Sequence, residues 1–143
     1  VNADQRRAAA LADAFGRAAK CVVRTFDEQL GEHGVSTPRS KLLAEVQRLQ
    51  PVRLADLARA VGVTQGTASS LVEALVREGL VERAPDPDDR RAIRLTTTAQ
   101  GSAQAKRWLT DYAEAAHGMF ASLSTEEQDT LTKLLSKLAD SLI

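Results

Sequence analysis

Residues 54–73 read LADLARAVGVTQGTASSLVE, and most positions in them serve one arrangement. Leu57, Val61, Val63, Ala68 and Leu71 are apolar at the spacing of two helices that share a core. Ala58 is small where the second helix must approach, and Gly62 supplies the backbone freedom that swings one helix into the next. This is a helix-turn-helix pattern, with Thr64 placed to cap the second helix. An ordinary helical hairpin uses the same glycine and the same spacing, so the surface has to discriminate. No acidic residue lies between Leu57 and Val72, and the outward positions at the start of the second helix are Thr64, Gln65, Gly66, Thr67, Ser69 and Ser70. Short hydrogen-bonding side chains of this kind can lie in a major groove without carboxylate repulsion.

The flanking segments extend the pattern. Residues 80–84 and 92–96 predict two short strands, separated by Pro85-Asp86-Pro87-Asp88-Asp89-Arg90-Arg91, which cannot be helical throughout. A helix-turn-helix followed by a hairpin with arginines at its tip is a winged helix, and a guanidinium such as Arg90 or Arg91 suits the negative potential of a narrow minor groove. Upstream, Leu11, Phe15, Ala18, Val22, Phe26 and Leu30 mark one stripe of a long first helix. Ser36-Thr37-Pro38 restarts the chain for a second helix carrying Leu42, Leu43, Val46 and Leu49, which Pro51 stops, and a short third helix runs from about 55 to 61. Arg53 stands where a Ser, Thr or Asp cap is usual. Downstream, a long helix over 98–123 bears Trp108, Tyr112, Met119 and Phe120. Ser124-Thr125-Glu126-Glu127 then opens a last helix with Leu131, Leu134, Leu135, Leu138 and Leu142 in its stripe.

Composition agrees. The chain has 143 residues, 43% hydrophobic and 3% aromatic, which favours close-packed helices and argues against an all-β sandwich. Nineteen Lys and Arg balance nineteen Asp and Glu, so any nucleic acid must be met by a local patch and not by a bulk field. The single cysteine excludes a disulfide framework and fits a reducing cytoplasm, the expected location. No apolar run is long enough for a membrane span, and no membrane partner is expected.

At LVREGLVERAPDPDDRRAIRLTTTAQG, residues 75–101, the chain resembles the MarR group of winged-helix transcriptional regulators, most specifically in Asp86 through Arg91 with Ile93, Leu95, Thr96 and Gly101. The resemblance implies a mainly α fold, a winged helix-turn-helix with a small β-hairpin wing and long terminal helices. Residues 1–34 and 98–143 would then be dimerisation helices and residues 35–97 the DNA-binding lobe. It also implies a homodimeric regulator, a repressor, on double-stranded DNA with a palindromic operator, its half-sites roughly 34 Å apart. Thr64, Gln65, Thr67, Ser69 and Ser70 are expected in the major groove, and Arg90, oriented by Asp88, in the minor groove. Arg77, Arg91 and Arg94 are expected at phosphates, with Arg39, Lys41 and Arg53 as further phosphate candidates.

Many relatives of this kind release DNA when a small aromatic or phenolic anion binds, and His33, Arg39, Trp108 and Tyr112 are the corresponding candidates near the first, second and fifth helices. Lys20 and Arg24 flank Cys21, which makes a thiol-based redox switch an alternative, against the expectation of a buried structural cysteine. A winged-helix module that binds another protein is a second alternative. The two histidines share no metal-ligand spacing, so neither metal nor cofactor is expected. No nucleophile-base pair or phosphate-cradling loop suggests an enzyme.

Overall fold

A computed structural model describes residues 1–31 and 37–142. The elements run α1 (Ala3–Leu30), α2 (Thr37–Leu49), β1 (Val52–Arg53), α3 (Leu54–Val61), α4 (Gln65–Arg77), β2 (Val81–Pro85), β3 (Ile93–Thr97), α5 (Ala99–Met119) and α6 (Thr125–Leu142). The strands form an antiparallel sheet ordered β1-β3-β2, with Val52 opposite Leu95 and Val81 opposite Thr97. The wing therefore has a third strand that the sequence reading left at a helix boundary. Two residues have no periodicity to detect, and β1 exists because Val52 buries its side chain while pairing with β3.

Local signals account for the helix ends. Asn2 and Gln5 form a capping box at α1, and Ser124 and Glu127 form one at α6. Gly62, which ends α3, has φ 79°, a left-handed conformation that a side chain disfavours. Leu42, Leu43, Val46, Leu57, Val72, Leu75, Leu80, Val81, Leu95 and Ala105 make one core beneath the helix-turn-helix and the wing. Phe26, Leu30, Ala44 and Trp108 make a second at the junction of α1, α2 and α5.

The stripes at the chain ends stay uncovered. Leu11 is 67% exposed and Phe15 48%, and none of the described residues of α6 is buried, with Leu134 at 57% and Leu142 at 77%. An amphipathic helix that buries nothing within its own chain has its apolar face available to another surface. No helix among the described residues is long and apolar enough to cross a membrane.

Candidate nucleic-acid interface

Helix α4 turns Ala68, Val72 and Leu75 into the core, which leaves Gln65, Gly66, Thr67 and Ser70 exposed and Ser69 half-buried. Thr64 caps it: Thr64 Oγ1 accepts the Thr67 amide at 3.1 Å and donates to Thr67 Oγ1 at 3.0 Å. Ser70 Oγ donates to the Gly66 carbonyl at 3.2 Å. These bonds use the hydroxyl protons of Thr64 and Ser70 and leave that of Thr67 free, and each hydroxyl oxygen still has acceptor capacity, so the face keeps both donors and acceptors for base edges. Arg77 is exposed in the last turn, and Arg39 of α2 pairs with Glu78 just beyond it, bracing α4 against α2.

The wing is anchored at both ends. At its foot, Thr98 Oγ1 donates to the Gly79 carbonyl at 2.7 Å and accepts the Gly101 amide at 3.0 Å, while the Thr98 amide donates to the Leu80 carbonyl at 3.1 Å. The first turn of α5 is thereby fastened to the turn after α4. Towards the tip, Asp86 is a fully buried carboxylate. Its Oδ2 accepts Arg53 Nε at 2.8 Å, Arg53 Nη2 at 2.7 Å and Arg94 Nε at 2.9 Å, and its Oδ1 accepts the Asp88 amide at 2.9 Å. The Asp88 amide and the Arg94 and Arg53 guanidiniums hold the carboxyl well below the usual carboxylate range, against the opposing pull of burial. This network accounts for an arginine at the N-cap position of α3: a guanidinium has no acceptor with which to cap the helix, and Arg53 instead donates to Asp86.

Several expected roles meet a different geometry. Asp88 contributes its amide to Asp86, and among the described residues no bond joins its carboxylate to Arg90. Asp89, not Asp88, accepts from the tip, through the Arg91 amide at 3.0 Å. Arg90 and Arg91 are exposed, whereas Arg94 is half-buried against Asp86. Arg83 of β2 is exposed as well, a wing arginine the sequence reading passed over.

Of the three effector candidates among the described residues, only two come together. His33 lies outside the described residues, and Arg39 is held by Glu78. Trp108 and Tyr112 do meet, with Phe26, in a stack of centroid distances 4.5 and 4.7 Å. Lys41 Nζ lies 5.4 Å from the Tyr112 centroid, and Trp108 Nε1 is buried without a partner among the described residues. A cleft of about 800 Å³ opens elsewhere, between Leu49, Arg53, Arg59 and Arg94 on one side and Ser136 and Asp140 of α6 on the other. Cys21 is exposed, contrary to the expectation of a buried structural cysteine, because it lies on the outer side of α1 with Arg24 Nη2 3.8 Å from its sulfur.

Residues 33–92 match the MarR family. The chain is also 30% identical over 114 residues to the transcriptional repressor YetL of Bacillus subtilis, a match covering 76% of this chain and 66% of that protein. The chain belongs to the MarR family. This MarR-family fold is similar to Bordetella bronchiseptica BpsR, studied for regulation of its DNA binding by 6-hydroxynicotinic acid, with TM-score 0.83 and 22% identity over 90% of this chain and 92% of that one. It is similar also to Escherichia coli MarR complexed with operator DNA, with TM-score 0.77 and 23% identity over 90% and 92% of the two chains. The family is one of transcriptional regulators, and its winged-helix architecture is the one found here.

Proposed function

We propose that this MarR-family chain is a DNA-binding transcriptional repressor that acts as a homodimer on a palindromic operator. The observation that carries this is an α4 start free of carboxylates and exposed, joined to a wing whose tip arginines have no side-chain partner among the described residues. In this proposal residues 35–97 read DNA: Thr64, Gln65, Thr67, Ser69 and Ser70 face base edges, Arg90 enters the minor groove, and Arg77, Arg91 and Arg94 meet phosphates. Residues 1–34 and 98–143 dimerise, and the uncovered leucines of α6 with Leu11 and Phe15 of α1 support that assignment. Such a repressor works in the cytoplasm, where its operator is, and catalyses nothing.

Release by a small aromatic or phenolic acid belongs to the same proposal. The stack of Trp108 and Tyr112 on Phe26 marks the aromatic end of its site, and Lys41 supplies a nearby positive charge. Arg39 is not among its contacts, since Glu78 holds it.

The test is fluorescence anisotropy against duplex DNA from immediately upstream of the coding sequence, at two salt concentrations, beside Arg90→Ala. Sequence-selective binding that weakens steeply with salt and drops about five- to a hundredfold in Arg90→Ala is expected. Equal binding to every duplex, unaffected by Arg90→Ala, overturns the proposal.

A further inference from the structure

Arg53 and Arg94 stand directly opposite each other in the ladder between β1 and β3. Like charges at paired positions repel across a sheet, and this pair is held together by one buried carboxylate. Asp86 reaches both guanidiniums through a single oxygen and the tip through the other, while its own amide donates to the Ala92 carbonyl at 3.0 Å. One residue thus joins β1, the end of β2, the tip and β3. The hairpin has little other support at that height. Val81 is buried at its foot and Leu95 midway along β3, whereas residues 82–85 of β2 and Ile93 of β3 are exposed. A two-stranded ribbon without a core behind it is marginal in water, and β1 reaches only as far as Arg94.

We propose that Asp86 is a positioning residue for DNA recognition: by gripping Arg53 and Arg94 together it sets the angle and reach of the wing, and so where Arg90 and Arg91 meet the duplex. This rests on the reading that the wing contacts DNA. Arg53, with both Nε and Nη2 on Asp86, in consequence serves the wing and not a phosphate, whereas Arg94 gives Asp86 its Nε and keeps its terminal nitrogens for one. The carboxylate is an unexpected ally of DNA binding, because a negative charge near a duplex ordinarily opposes it.

That conflict supplies the test. Asp86→Asn removes a negative charge, so a pure field effect tightens binding and steepens its salt dependence. Positioning requires the opposite, a loss of about tenfold, because an amide has one acceptor oxygen and must turn its donor nitrogen either to the guanidiniums or to the Asp88 amide. Arg53→Lys keeps the charge, so a field effect leaves binding unchanged. Positioning weakens it several-fold, since an ammonium does not reproduce two N–H groups on one oxygen. If Asp86 acts through the tip, adding Asp86→Asn to a variant that already carries Arg90→Ala and Arg91→Ala weakens binding no further.

The measurement is anisotropy with full-length protein and a duplex selected by the wild type from randomised DNA, each variant first shown to be folded by circular dichroism. Should Asp86→Asn fail to fold, Arg53→Lys carries the test. Asp86→Asn or Arg53→Lys binding at least as tightly as the wild type, while Arg90→Ala is weakened, overturns the positioning role and leaves the DNA-reading wing intact. Arg90→Ala binding like the wild type overturns both.

Discussion

Gly101→Ala tests the joint between the helix-turn-helix core and α5. A Cβ at residue 101 would lie 1.9 Å from the Leu80 carbonyl oxygen, 2.8 Å from its carbon and 3.1 Å from its Cα. Real Cβ contacts essentially never fall below 3.0 Å, so something must retreat by about 1.1 Å. Leu80 is poorly placed to yield: its side chain is buried, its amide donates to the Leu75 carbonyl at 2.9 Å, and its carbonyl accepts the Thr98 amide at 3.1 Å. Overpacking against a neighbour that cannot relax costs about 1–3 kcal/mol. The Thr98 bonds to Leu80 and Gly79 contribute about 1 kcal/mol each and are lost if α5 moves away. Alanine's better helix propensity offsets about 1 kcal/mol of this.

The net expectation is a loss of about 2–4 kcal/mol, a fall in Tm on the order of 5–15 °C for a chain of this size. Calorimetry at fixed protein concentration reads it, since the Tm of an oligomer depends on concentration. Gly66→Ala is the control. It lies in the first turn of α4, and its added Cβ meets nothing nearer than Thr64 Oγ1 at 3.9 Å, so that variant melts at or slightly above the wild-type temperature. If Gly101→Ala also melts at or above the wild type, the close approach of α5 to Leu80 is not a feature of the folded protein.

Thr64→Ala removes the α4 cap and is expected to cost about 1 kcal/mol in urea denaturation; an unchanged midpoint would show that the Thr67 amide finds water equally well. The depressed Asp86 pKa makes a signed contribution with pH. Its stabilisation is fully present above the unfolded carboxyl value of about 3.9 and is lost as pH falls below that towards the lower folded value. Asp86→Asn should therefore flatten the acid limb of the stability curve, and an identical acid limb in the two proteins would contradict the buried network. Leu138→Asp on the uncovered face of α6 is expected to shift sedimentation from dimer to monomer, and a dimer that persists at micromolar concentration would move the interface elsewhere.

Most of this architecture is legible locally. Helix ends follow from residues three positions apart, as at Thr64 with Thr67 and Ser124 with Glu127, and from the left-handed backbone at Gly62, which glycine adopts more readily than other residues do. The wing is legible because prolines and aspartates separate two short strand-like segments. Such signals act over a few residues, so the order of neighbours carries them.

The rest arises from contacts across long stretches of chain. Arg53 and Asp86 are 33 residues apart, and three aspartates followed by two arginines at 86–91 do not reveal which carboxylate is buried; the resemblance singles out Asp88 as the partner of Arg90 and says nothing of Asp86 and Arg53. The register of β3 against both neighbours settles it, because that register sets Arg53 beside Arg94 and leaves Asp86 within reach of both. Gly101 was read as part of a motif, but its need for hydrogen in place of a side chain is visible only where the Leu80 carbonyl approaches. The candidate effector residues divide for the same reason: Trp108 and Tyr112 are one helical turn apart and meet Phe26, whereas Arg39 is drawn to Glu78, 39 residues away. Periodicity tells which side of each element is apolar, but the choice of partner for a buried charge belongs to the packing of distant segments, since desolvation is relieved by whatever donor the fold brings within reach.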